Sequence, residues 1–174
     1  MKKIALNAIL ISFALALAIA ERFLPLELIV PVPGLKIGLP NVITMFALLF
    51  LDIPSVLTIV FLRCLLAAIL IGSLTSFVFS ITGGLFAFAI MLLLMKKFDK
   101  RVSLIGVSIA GAAAHNTGQI LAAVFIMKTF SVFSYLPLLL IGSVITGVIT
   151  GALIEVLKHK LKKLFDGRFL TMDN

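Results

Sequence analysis

Residues 31–41 read Pro31-Val32-Pro33-Gly34-Leu35-Lys36-Ile37-Gly38-Leu39-Pro40-Asn41. Three prolines fix φ and withhold backbone donors, two glycines permit positive φ, and one lysine sits among them. This is a shaped loop, neither a helix nor a flexible linker. The chain around it is overwhelmingly apolar: 62% of residues are hydrophobic and 13% charged, with mean hydropathy +1.28. Ordinary soluble chains are about 45–50% apolar and about 25% charged. The sequence therefore describes an all-α, polytopic integral membrane protein, and the loop is its largest constrained polar interruption.

Working outward, a helix needs about 20 apolar residues to cross a bilayer. Six spans are expected, at residues 4–20, 41–51, 54–70, 74–94, 102–127 and 135–157, forming a single membrane domain over residues 1–174. The second is short, rising only about 16 Å at 1.5 Å per residue, so it needs support from the loop or from neighbours, or is a half-span packed beneath the loop. The first run follows Lys2 and Lys3 as in a signal peptide, but it continues into Glu21, Arg22 and prolines, and we expect it to be retained.

Lysine and arginine set the orientation. With the N-terminus inside, Lys2, Lys3, Lys96, Lys97, Lys100, Arg101, Lys158, Lys160, Lys162, Lys163 and Arg168 are cytoplasmic, whereas Arg22, Lys36 and Lys128 are outside and Arg63 lies within a span. Both termini are then cytoplasmic and the proline loop faces outward, in what we expect to be a bacterial cytoplasmic membrane. The basic tail at residues 158–174 reads as an anchor against anionic lipid. The net charge of +8 and pI near 10.0 follow from this topology, so no nucleic-acid partner is expected. Cys64 is alone in an apolar run, which leaves neither a disulfide framework nor a metal-ligand pair.

Small residues mark faces where helices pack closely. Ala14 with Ala18, and Ala16 with Ala20, make small-xxx-small pairs in the first span, Gly147 and Gly151 do so in the sixth, and Gly83-Gly84 permits a kink or a close contact in the fourth.

Few residues offer chemistry. Arg63 sits mid-span, where an arginine costs about 2.5–3.5 kcal/mol on insertion scales unless it is partnered. It is either a countercharge for an anionic ligand group or an internal partner of Glu21, Glu155 or freed carbonyls. His115 and Gln119 are four apart and share a helix face with Asn116 beside them, giving a binding wall or an interhelical hydrogen-bond cluster. Ser143, Thr146 and Thr150 are expected to bond back to their own helix. Glu21 and Arg22 end the first span at the outer interface, where they either gate a pocket or, as we expect, reach water. The seven acidic residues are scattered, with no paired-carboxylate site and no aspartate-rich motif for Mg²⁺ and diphosphate. There is no glycine-rich nucleotide loop ending in Lys-Ser or Lys-Thr. No intrinsic catalysis, metal or cofactor is expected.

Pro-x-Pro-Gly-x-Lys-x-Gly-Leu-x-Asn at residues 31–41, Arg63, and Ala-His-Asn-x-Gly-Gln at residues 114–119 together resemble the membrane family labelled heptaprenyl diphosphate synthase component I, also called the Gx transporter family. The resemblance spans roughly residues 4–157. That family is similar to the substrate-binding S components of energy-coupling factor transporters. It implies a six-helix bundle with a pocket closed by the loop between helices one and two, and a small-residue face on helix one, here Ala14/Ala18 or Ala16/Ala20, for docking a transmembrane coupling subunit served by two ATPases. The pocket residues would be Lys36, Asn41, Arg63, His115, Asn116 and Gln119, around a small anionic or polar-headed substrate. The alternatives are a non-catalytic accessory subunit of heptaprenyl diphosphate or quinone biosynthesis, and a structural subunit of a larger membrane complex.

Overall fold

The computed structural model describes residues 2–21, 23, 36, 38–71, 74–98 and 102–165. Among these, six α-helices follow one another: α1 (Lys2–Glu21), α2 (Asn41–Phe50), α3 (Ile53–Ile71), α4 (Leu74–Phe98), α5 (Leu104–Met127) and α6 (Leu136–Phe165), with a 3₁₀ turn at Phe130–Tyr135 between the last two. Residues 31–35, Ile37, Arg22 and the end of the basic tail from 166 onward lie outside the described residues.

Five helices, all but α2, are long and apolar enough to cross a membrane. A helix satisfies its backbone internally, which is what hydrocarbon demands. Their outer faces carry exposed large apolar side chains, among them Ile9 and Phe13 on α1 and Ile141, Ile145 and Ile149 on α6. The protein is thus a multi-pass helical membrane protein.

α2 is the exception. Its ten residues rise about 15 Å, and none of them is exposed. It touches α1, α3, α4, α5 and α6. Val42, Met45, Ala47 and Leu48 enter the main core with Leu10, Ile11, Val56, Ile59, Val60, Met91 and Ile154. Neighbours on all sides supply what its length does not, so a helix too short to stand alone in lipid is buried at the centre. A second core joins Phe79 of α4, Ile120 and Ala123 of α5, Val132 of the 3₁₀ turn and Leu139 of α6.

Contacts fix the packing directions. Gly147 of α6 lies against Ile109 of α5 and Gly151 against Ile105, so one helix rises as the other falls. A methyl placed on either glycine would come within 2.4 Å and 2.6 Å of the isoleucine Cα atoms, and only a residue without Cβ allows this approach. At α1 and α2, Glu21 reaches the backbone of Gly38 and Leu39 just before α2, while Lys3 pairs with Asp52 just after it at 2.8 Å. These two helices are therefore also antiparallel. Thr146 and Thr150 donate to carbonyls one turn earlier in α6, as expected of hydroxyls in apolar helices.

The ends are locally encoded. Ser103 caps α5 by accepting from Gly106 N at 3.1 Å. Lys128 closes it in the left-handed region at φ 51°, and Thr129 starts the 3₁₀ turn. Val132 anchors the 3₁₀ turn in the core.

Candidate functional site

Five elements converge near the end of α1 opposite Lys3. The backbone at Gly38 adopts φ 90°, a conformation glycine takes without strain. From there Asn41 N donates to Gly38 O at 2.9 Å and Val42 N to Leu39 O at 3.2 Å, so the chain winds directly into α2. Lys36, Gly38, Leu39 and Pro40 form a strap laid across the bundle interior.

The strap is held by side chains from three helices. From α1, Glu21 Oε1 accepts from Gly38 N and, at 3.4 Å, from Leu39 N. From α4, Ser80 Oγ accepts from Lys36 Nζ at 2.8 Å. From α5, Gln119 clamps the Lys36 main chain, accepting from its N at 2.9 Å and donating to its carbonyl at 2.8 Å. Beneath the strap, Arg63 Nη2 donates to Asn41 Oδ1 at 3.1 Å. The His115 ring is wedged between Gly38 and Gly83, where an added methyl would come within 2.8 Å of it from either side. Gly84 likewise leaves room for the Arg63 guanidinium. The Gly83-Gly84 pair is therefore a notch for two polar side chains.

Lys36, Asn41, Arg63, His115 and Gln119 are thus brought together. Asn116 is not among them. It is turned about 100° from His115 around α5, and its Nδ2 donates to Leu139 O at 3.0 Å and Ser143 Oγ at 2.8 Å, joining α5 to α6. Glu21, expected to reach water at the interface, is 2% exposed and belongs to the cluster. The signal for it was in the sequence: it is the one acidic residue at the end of α1, where the chain turns toward the proline loop. Ser80, a hydroxyl near the start of the fourth span, joins the cluster through Lys36. Glu155, weighed as a partner for Arg63, is exposed on α6.

Glu21, Lys36, Arg63, Cys64, Ser80 and His115 line one cavity of about 10 Å³, room for about one water. Among the described residues, Glu21 Oε2, Asn41 Nδ2 and Arg63 Nε around it have no hydrogen-bond partner. Buried polar groups are almost always satisfied, and these incomplete ones gather around the cavity beneath the strap. Among the described residues, no three His, Cys, Asp or Glu side chains gather as a metal site would need.

The small-residue pairs on α1 separate. Ala14 and Ala18 are buried, at 0% and 4% exposure, and pack inside the bundle. Ala16 and Ala20 are exposed. Of the two pairs expected to offer a docking face, Ala14/Ala18 is already used within the chain.

Apolar helices enclosing a buried, strapped polar cluster define a multi-pass membrane protein with an internal polar site. A family model described as heptaprenyl diphosphate synthase component I matches residues 10–157, and the chain belongs to that family. Comparison with curated proteins and with solved structures gave no match.

Proposed function

We propose that the chain is the substrate-binding membrane subunit of an energy-coupling factor type uptake transporter, taking a small anionic or polar-headed molecule from the outer face. The observation that carries this reading is the cluster itself: charged and polar side chains, incompletely satisfied, enclosed within apolar helices beneath a strap with few bonds of its own. Burying an arginine, a lysine and a glutamate in one cavity is costly, and a ligand that completes their hydrogen bonds is a physical reason to keep them. Both termini would be cytoplasmic, with the strap outward, as the distribution of lysine and arginine implies. A cavity of about 10 Å³ holds no such ligand, so the strap must move for loading. The exposed Ala16 and Ala20 would receive a transmembrane coupling subunit, with two ATPases supplying energy.

The test is purification of the full chain from its native membrane, with native mass spectrometry of what it carries. A retained small molecule, lost in Arg63→Gln, together with recovery of a coupling protein and two ATPases, supports the reading. Uptake that is unchanged when that ATPase module is deleted overturns it.

The family description favours a second reading, a non-catalytic membrane partner of a prenyl diphosphate synthase. That reading predicts recovery with a soluble prenyltransferase whose activity falls when this chain is removed.

A further inference from the structure

The C-terminal half of α4 carries a second concavity, remote from the strap. Phe88, Ala89, Leu92, Leu93, Lys96 and Lys97 line a groove of about 510 Å³. Four apolar side chains lead to two lysines, and all six belong to one helix. Ala89, the smallest of them, leaves a trough among Phe88, Leu92 and Leu93. At about 100° per residue, Leu85, Ala89, Leu93 and Lys96 fall within about 80° of one another around the helix. Each of these four is exposed, so the stripe they form faces away from the protein interior.

The length of the stripe matches one leaflet. From Leu85 to Lys96 the helix rises about 16 Å, against about 15 Å for half of the bilayer hydrocarbon. α4 is long and apolar enough to cross the membrane. An acyl chain lying along Leu85, Ala89 and Leu93 therefore brings its headgroup level with Lys96.

The charge at that level is positive. Lys96 and Lys97 are exposed cations at neutral pH. The sequence continues through Asp99, Lys100 and Arg101, so residues 96–101 hold four cations and one carboxylate. Lysines at the end of a span also set topology, but that role alone gives no preference among headgroups. An apolar trough running into a lysine complements a molecule with a long hydrocarbon chain and an anionic end.

We propose that this groove of α4 binds an anionic phospholipid, with one acyl chain in the trough over Ala89 and the phosphate against Lys96. Lys97 borders the same headgroup position.

The test is native mass spectrometry of the purified full-length protein, titrated in detergent with dioleoylphosphatidylglycerol or with dioleoylphosphatidylcholine. The two lipids share their chains, so a difference reports the headgroup. The first phosphatidylglycerol should bind tighter than the first phosphatidylcholine by about fivefold, the effect of one lysine near an anionic surface. Lys96→Gln should remove most of that preference and leave phosphatidylcholine binding as it was. Ala89→Phe fills the trough from an exposed position, and should weaken the first binding of both lipids with thermal stability unchanged. Replacing Lys158 and Lys160 of the basic tail together by Gln should leave the preference in place.

Equal affinity for the two lipids overturns the headgroup contact. A preference that survives Lys96→Gln, or that disappears in the tail variant, places the anionic lipid elsewhere and overturns the site. Unchanged lipid binding in Ala89→Phe overturns the trough. A dimer that is lost in Ala89→Phe assigns the groove to a second copy of the chain and overturns the lipid.

Discussion

Gln119 holds Lys36 by its main chain and not by its charge, its side-chain amide accepting from the Lys36 N–H at 2.9 Å and donating to the Lys36 carbonyl at 2.8 Å. A side-chain amide can pair with a peptide unit in both directions, donating and accepting at once. A helix of the bundle thereby satisfies a strap that has no strand or helix of its own at that point. Gln119→Leu removes both bonds and leaves a buried donor and acceptor unmet, each costing about 1–3 kcal/mol. The strap should then open more often, and modification of Cys64 should accelerate by about tenfold or more. Gln119→Glu keeps an acceptor and loses the donor, so its rate should fall between the two. Unchanged Cys64 reactivity in Gln119→Leu would show that the clamp does not hold the strap.

Gly83 and His115 should behave as a coupled pair. Gly83→Ala places a methyl within 2.8 Å of the imidazole and 2.9 Å of the His115 carbonyl. Overpacking of this kind costs about 1–3 kcal/mol. His115→Ala in the same chain removes the ring contact but not the backbone one, so the double variant should recover part of the lost thermal stability. Strict additivity of the two losses would contradict the notch.

Along α6 the glycines should sort by what faces them. Gly151→Leu pushes a side chain into the Ile105 backbone and should separate α5 from α6, with loss of the folded protein in detergent. Gly142 has nothing within 4 Å of an added methyl. Gly142→Ala should be neutral or stabilising by up to about 1 kcal/mol, through helix propensity alone. A melting series of the two variants checks both statements.

Partner docking and folding should separate on α1. Ala16→Leu with Ala20→Leu changes exposed positions, and should abolish recovery of a coupling subunit while leaving thermal stability and Cys64 reactivity as they were. Ala14→Leu, at a position with 0% exposure, should instead lower stability. Retained recovery of the partner in the Ala16/Ala20 double variant removes this face from the proposal.

The pairing of Lys3 with exposed Asp52 gives a weak but signed pH effect. The Lys3 ammonium, and then the Ser55 hydroxyl, hold the Asp52 carboxyl below the usual carboxylate range. A carboxyl lowered in the folded state contributes stability above its unfolded pKa of about 3.9, and the contribution fades as pH falls through the lower folded value. Stability profiles of the native chain and Asp52→Asn should therefore differ at neutral pH and converge in acid. Divergence toward acid would reverse the sign.

Much of this was readable in the chain. Lys36, Arg63 and the His115–Gln119 pair stood out because each is a polar residue where apolar ones surround it, and the cost of burying such groups makes them meet. Periodicity placed His115 and Gln119 on one face; adjacency then suggested Asn116 as well, although a one-residue step on a helix turns about 100° and delivers it to α6. Glu21 was harder, since a carboxylate at the end of a span reads as interfacial until the chain beyond it is known to fold back. Gly83-Gly84 read as a kink or a close contact because a one-dimensional pattern shows the missing side chain and not what fills its place. The division between buried Ala14/Ala18 and exposed Ala16/Ala20 needed the neighbours of α1, which α1 alone does not encode.

The enclosure of α2 frees it from the dimensions of the bilayer. Hydrophobic mismatch acts where helix meets lipid, through tilt or local thinning, and a helix with six residues buried and four half-buried offers little such boundary. A thicker or thinner membrane would lean on the outer five helices and leave the central one in place. Because α2 begins at the strap, the polar cluster is referenced to an internal axis, and its geometry should be indifferent to lipid chain length.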